Sequence, residues 1–124
     1  MDVDGAHDRD HAQGVLEIVG PDLERSLAFY LALGFTLVRR DGPFAVVDWR
    51  GMRLFLVENA DTLAFPRWAN LRIMVDDVDA VHAHVIASGF EPAHPLADRG
   101  YGLRDFIVDD PNGFALRFAQ ALPA

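Results

Sequence analysis

The chain has 124 residues, enough for one domain, and 51% of them are apolar, a composition that supports a folded core. Eleven basic residues, all arginine, stand against 19 acidic ones, and the net charge of −8 argues against a nucleic-acid partner, which needs clustered cations. There is no cysteine, so a disulfide framework, a thiolate zinc site, an iron–sulfur cluster and a cysteine nucleophile are all excluded.

Residues 1–13 are polar, carry Asp2, Asp4, Asp8 and Asp10 against Arg9, and read as a disordered tail before a single domain at 14–124. They contain no apolar signal region, and no later stretch approaches the roughly 20 apolar residues of a membrane helix. With the absence of cysteine, this makes a cytoplasmic protein with no membrane partner the expectation. Val15–Val19 reads as a strand. Pro21-Asp22 opens a helix with Asp22 as N-cap, an apolar stripe of Leu23, Leu27, Tyr30 and Leu31, and Gly34 as terminator. Thr36–Arg40, Phe44–Trp49 and Met52–Glu58 are strands separated by Asp41-Gly42-Pro43 and Arg50-Gly51. A linker, 59–69, carries Trp68. Leu71–Val75 is the next strand, and Asp77 caps a helix with a stripe of Val78, Val81, Val85 and Ile86, ended by Gly89. Glu91–His94 is a weak edge strand with Pro92 inside it, and 96–103 is a glycine-containing loop. Arg104–Val108 and Phe114–Ala119 are the last strands, joined by Asp109-Asp110-Pro111-Asn112-Gly113.

The two halves repeat. Displaced by 55 positions, Leu16-Glu17-Ile18 falls on Leu71-Arg72-Ile73, Asp22-Leu23-Glu24 on Asp77-Val78-Asp79, and Gly34-Phe35 on Gly89-Phe90. The register then slips by seven, so that Gly51, Leu54 and Phe55 fall near Gly113, Leu116 and Phe118. The fold class is therefore α+β, with two β-α-β-β-β modules at about 14–58 and 70–120.

Three motifs carry a resemblance over about residues 14–120. Asp22-Leu23-Glu24-Arg25-Ser26-Leu27-Ala28-Phe29-Tyr30 with Leu33-Gly34-Phe35, Val75-Asp76-Asp77-Val78-Asp79, and Asp110-Pro111-Asn112-Gly113 with Leu116 and Phe118 resemble the vicinal-oxygen-chelate superfamily of glyoxalases, bleomycin-resistance proteins and extradiol dioxygenases. The resemblance implies curled mixed sheets around a cleft, and a homodimer in which two chains pair modules across a two-fold axis. In the metal-dependent members it places ligands at the positions of Val15, Asn70 and Arg117 here. A hydrocarbon and a guanidinium cannot ligate a metal, and an amide is a poor ligand for a transition ion. No metal, no cofactor and no catalytic residue are therefore expected. Tyr101-Gly102-Leu103-Arg104-Asp105-Phe106 is similar to the bleomycin-resistance subgroup, with tyrosine where tryptophan is often found.

The remaining candidates are ligand-binding residues. Strand alternation puts Glu17 and Arg72 at equivalent cleft positions with opposite charge, where the alternative is a structural salt bridge between them. Arg117 faces the cleft as well, with one alternating set of the third strand, either Phe44, Val46 and Asp48 or their neighbours. Phe44, Trp49, Trp68 and Tyr101 supply rings for a flat heteroaromatic ligand, with core or dimer contacts the alternative for Phe44 and Trp49. Glu17, Asp48 and Glu58 supply counter-charge. Asp105, Asp76-Asp77 and Asp109-Asp110 read as caps and turn residues, and His82, His84 and His94 as solvated positions of no special role. The function expected is sequestration of a cationic, bleomycin-like antibiotic; the alternative is a lyase, isomerase or dioxygenase of the same superfamily with non-standard metal ligands.

Overall fold

In the computed structural model, which describes residues 14–62 and 69–124, the chain divides into two units, Met1–Ala64 and Phe65–Ala124. The expected tail at 1–13 and Trp68 lie outside the described residues.

The first unit holds β1 (Leu16–Gly20), α1 (Leu23–Leu33), β2 (Thr36–Asp41), β3 (Phe44–Trp49) and β4 (Met52–Glu58). Its sheet runs β1-β4-β3-β2, with β1 parallel to β4 and the other pairs antiparallel. Asp22 caps α1 by accepting from the Arg25 amide at 3.2 Å, and Gly34 ends it at φ +121°, a conformation glycine adopts without a Cβ penalty. One face of the sheet, with Ala45, Val47, Trp49, Leu54 and Leu56, packs under Leu23, Leu27, Tyr30 and Leu33 of α1, all of them buried. Tyr30 and Phe35 meet edge to face at 5.2 Å, and Phe35 leans on Trp49 at 5.3 Å.

The second unit repeats the plan with β5 (Asn70–Met74), α2 (Val78–Ala87), β6 (His94–Asp98), β7 (Leu103–Asp109) and β8 (Ala115–Ala121), in the order β5-β8-β7-β6. Asp77 caps α2 through the Ala80 amide at 3.1 Å. Val78, Val81 and Val85 bury against Phe106, Val108, Leu116 and Phe118, and the Phe106 and Phe118 rings stack at 5.4 Å.

Three expectations are corrected. Leu31 and Ile86, placed on the helix stripes, are 40% and 48% exposed. They are equivalent positions of the repeat, and each lies roughly 80° around its helix from the first buried residue, past the edge of the buried face. The weak strand expected at Glu91–His94 instead spans His94–Asp98, sharing only His94 with the expected strand and running into the segment read as a loop. Pairing with β7 sets it there: His94 opposes Ile107 and Ala97 opposes Asp105, and the register shift between them accommodates Pro95, which has no N–H to give the ladder. His82 is half-buried, with its ring edge-on to Phe106 at 5.0 Å, and so takes part in the packing.

Candidate functional site

Each sheet has a second face, turned away from its helix, and alternation decides which side chains reach it. In the first unit that face carries Glu17 and Val19 of β1, Arg53, Phe55 and Val57 of β4, and Phe44, Val46 and Asp48 of β3, by the register Glu17–Phe55, Phe44–Val57, Val46–Phe55 and Asp48–Arg53. Phe44 meets Phe55 edge-on at 5.1 Å, and the Arg39 guanidinium lies 5.7 Å from the Phe44 ring centre. Asp48 has two structural partners: its Oδ1 accepts from the Gly51 amide at 2.9 Å and its Oδ2 lies 3.4 Å from Arg53 Nε. Glu17 is exposed.

In the second unit the corresponding face carries Asn70, Arg72 and Met74 of β5, Ala115, Arg117 and Ala119 of β8, and Leu103, Asp105 and Ile107 of β7. Asn70, Arg72, Tyr101, Leu103 and Arg117 line a concavity of about 430 Å³. Its floor is organised by Asp105, whose side chain is wholly buried. Asp105 Oδ1 accepts from Arg99 Nε at 2.9 Å. Its Oδ2 accepts from the Tyr101 hydroxyl at 2.5 Å and from Arg117 Nη1 at 2.9 Å. The same Arg117 Nη1 also donates to the Tyr101 oxygen at 2.8 Å. Burial alone pushes the Asp105 carboxyl up. The hydrogen bonds from Tyr101, Arg117 and Arg99 outweigh it and hold the group below its ordinary value, so the carboxylate is ionised. The Tyr101 hydroxyl is pushed up by its hydrogen bond to that carboxylate and stays protonated.

The expected site residues therefore separate. Arg72, Arg117 and Tyr101 come together around one concavity, and Tyr101 is 60% exposed. Glu17 and Phe44 share the helix-free face of the other sheet, with Asp48 engaged by Arg53 and Gly51. Trp49 does not belong there. Only 8% exposed, it sits on the helix side of β3, because it lies an odd number of residues from Phe44 and a strand sends the two to opposite faces. Glu58 is also on the helix side, where its Oε1 accepts from the Leu23 amide at 3.0 Å and satisfies the first free donor of α1. Asp105, read as a cap or turn residue, is instead the buried anchor of the concavity. Its signal was available: in Leu103–Asp109 a charged residue stands at an alternating position otherwise held by Leu103 and Ile107. Arg99 was missed, and its role rests on a contact that nothing in the local pattern announces.

With the geometry in hand, the comparisons with known proteins decide the family. The profile of the Glyoxalase/Bleomycin resistance protein/Dioxygenase superfamily matches residues 9–118. The chain belongs to that superfamily. Among curated proteins, a bleomycin resistance protein of Geobacillus stearothermophilus is 30% identical over 119 residues, covering 82% of this chain and 90% of that one. Among solved structures, a bleomycin-binding protein complexed with bleomycin matches with a TM-score of 0.75 at 22% identity, over 87% of this chain and 97% of that one. A bleomycin resistance determinant encoded on the transposon Tn5 matches with a TM-score of 0.77 at 22% identity, over 88% and 97%. These structures share the fold.

The metal of the superfamily's metal-dependent members does not fit the residues here. At the last-strand ligand position, Arg117 puts a cation whose guanidinium is already bonded to Asp105 and Tyr101. Asn70 opens β5 with an exposed amide. Among the described residues no group of three His, Asp or Glu side chains is placed to share an ion.

Proposed function

We propose that this superfamily member is a metal-independent binding protein that sequesters an antibiotic of the bleomycin type. The observation that carries the proposal is Arg117. The position that would supply a carboxylate ligand is a guanidinium locked onto a buried aspartate, so the face around it offers recognition groups and no reaction centre. The printed names of the relatives, a bleomycin resistance protein at 30% identity and a bleomycin-binding protein of the same fold, supply the ligand class. The exposed Tyr101 ring and the Phe44–Phe55 pair offer surface for a flat heteroaromatic group, and Glu17 offers counter-charge to a cationic one. Trp68 is kept as a further stacking candidate. The protein works as a homodimer in this reading, because among the described residues each sheet has a helix-free face to cover and two edge strands.

Calorimetric titration with bleomycin, with and without copper, beside elemental analysis of the purified protein, tests this. The expected result is saturable binding with micromolar affinity or better and no stoichiometric metal in the protein. Absence of binding, or a stoichiometric transition metal accompanied by turnover, overturns it and favours the enzyme reading.

A further inference from the structure

We propose that the concavity formed by Asn70, Arg72, Tyr101, Leu103 and Arg117 is an oxyanion-binding site, which takes a carboxylate or phosphate group carried on an apolar or aromatic body. The inference rests on this concavity being part of the ligand site, but not on the ligand being bleomycin.

The first argument is charge balance. Arg72 and Arg117 are direct partners across the parallel β5–β8 ladder, so two guanidinium side chains leave one face from adjacent strands, with backbones roughly 5 Å apart. Like charges at such positions repel. Arg99 brings a third cation to the same cluster. One carboxylate, Asp105, pairs with Arg99 and Arg117, and among the described residues none pairs with Arg72, which leaves two positive charges in excess. This happens in a chain whose acidic residues outnumber its basic ones 19 to 11.

The second argument is hydrogen-bond inventory. Both Asp105 oxygens are engaged, Oδ1 by Arg99 and Oδ2 by Tyr101 and Arg117. The Tyr101 hydroxyl gives its proton to Asp105 and accepts from Arg117. Arg117 spends a single nitrogen, Nη1, on these two bonds. Among the described residues, its other N–H groups and all those of Arg72 have no hydrogen-bond acceptor. Among the described residues the site thus has a surplus of donors and no free carboxylate to take them. A planar guanidinium fork suits two oxygens of one anion, and hydrogen bonds between charged partners are the stronger kind. The third argument is shape. Leu103 and the exposed Tyr101 ring stand beside the donors, so the anion's carrier meets an apolar side chain and a flat one.

Nuclear magnetic resonance titration of the full-length protein tests the site. The probes are benzoate, phenyl phosphate, inorganic phosphate and the neutral benzamide, added at constant ionic strength. Benzoate or phenyl phosphate should shift the resonances of Arg72, Tyr101 and Arg117 saturably, and bind at least tenfold more tightly than benzamide. Tighter binding of phenyl phosphate than of inorganic phosphate means that the carrier ring contributes; equal binding removes the apolar-body part of the proposal. Arg72→Gln, at an exposed position with no partner among the described residues, should weaken the anions tenfold or more, while Arg25→Gln on α1 should change nothing. Benzamide binding as well as benzoate, an unchanged affinity in Arg72→Gln, or shifts spread over every arginine would overturn the site. Bleomycin added to the same sample separates the two readings. If the anions bind and bleomycin does not, sequestration falls and the oxyanion site stands. If bleomycin binds and the anions do not, the reverse holds.

Discussion

Glu58 and Gln120 do the same work in the two modules. Glu58 Oε1 accepts from the first amide of α1, Leu23, at 3.0 Å, and Gln120 Oε1 accepts from the first amide of α2, Val78, at 2.9 Å. Each comes from the last strand of its module and ties that strand to the helix that crosses the sheet. The backbone donors at a helix start have no partner inside the helix, so a side chain that reaches them stabilises both the helix and its docking. Since an amide oxygen does this in the second module, the charge of Glu58 is not required. Glu58→Gln should leave the midpoint of urea unfolding nearly unchanged, whereas Glu58→Ala and Gln120→Ala should each cost about 1 kcal/mol.

Asp105 couples the concavity to stability. Asp105→Asn removes the charge that answers Arg99 and Arg117, and should destabilise the protein by roughly 3 kcal/mol at neutral pH, the low end for a broken buried pair because both arginines retain some solvent contact. The carboxyl sits below its ordinary value of 3.8 when folded, so it contributes stability that is present above that value and lost as pH falls through the depressed one. The difference between the parent and Asp105→Asn should therefore be constant above about pH 5 and shrink below pH 4. Denaturant midpoints measured from pH 7 down to pH 3 check both the sign and the window.

Gly34 and Gly89 end equivalent helices at φ +121° and +90°, but only one is crowded. A Cβ on Gly34 would stand 3.2 Å from Trp49 Cζ3, whereas one on Gly89 would meet nothing within 4 Å. Gly89→Ala should cost about 1 kcal/mol from backbone strain alone, and Gly34→Ala more, since the buried indole must also yield. Thermal melts of the two variants rank them directly.

Trp49→Ala should lower stability by about 3–4 kcal/mol, the usual cost of emptying a buried aromatic site. Its effect on ligand affinity should vanish once the fraction of folded protein is taken into account. Tyr101→Ala should do the opposite, weakening ligand binding about tenfold with a smaller loss of stability, because its ring is exposed. Calorimetry and melting curves on the same two variants separate a core ring from a binding ring.

The sequence determined the module by itself. Alternation, the Asp22 and Asp77 caps, the glycines after each helix and the 55-residue repeat are local signals, each set by a few consecutive residues, and they place β-α-β-β-β twice. Parity along β3 also carried the separation of Phe44 from Trp49, which naming both as ligand rings overlooked, since residues an odd number apart leave a strand on opposite faces. What the tertiary structure decided is everything that depends on a partner distant in sequence. β6 takes its place at His94–Asp98 from its pairing with β7, against a weak local preference. Glu58 reaches an amide 35 residues away. Arg117 reaches Asp105 and Tyr101 because β7 lies beside β8 and the loop before it folds back over their face. Periodicity says which face a side chain leaves from. Which charge meets it there is fixed only when the strands are in register, and that pairing leaves Arg72 with donors to offer and Asp105 with none of its oxygens to spare.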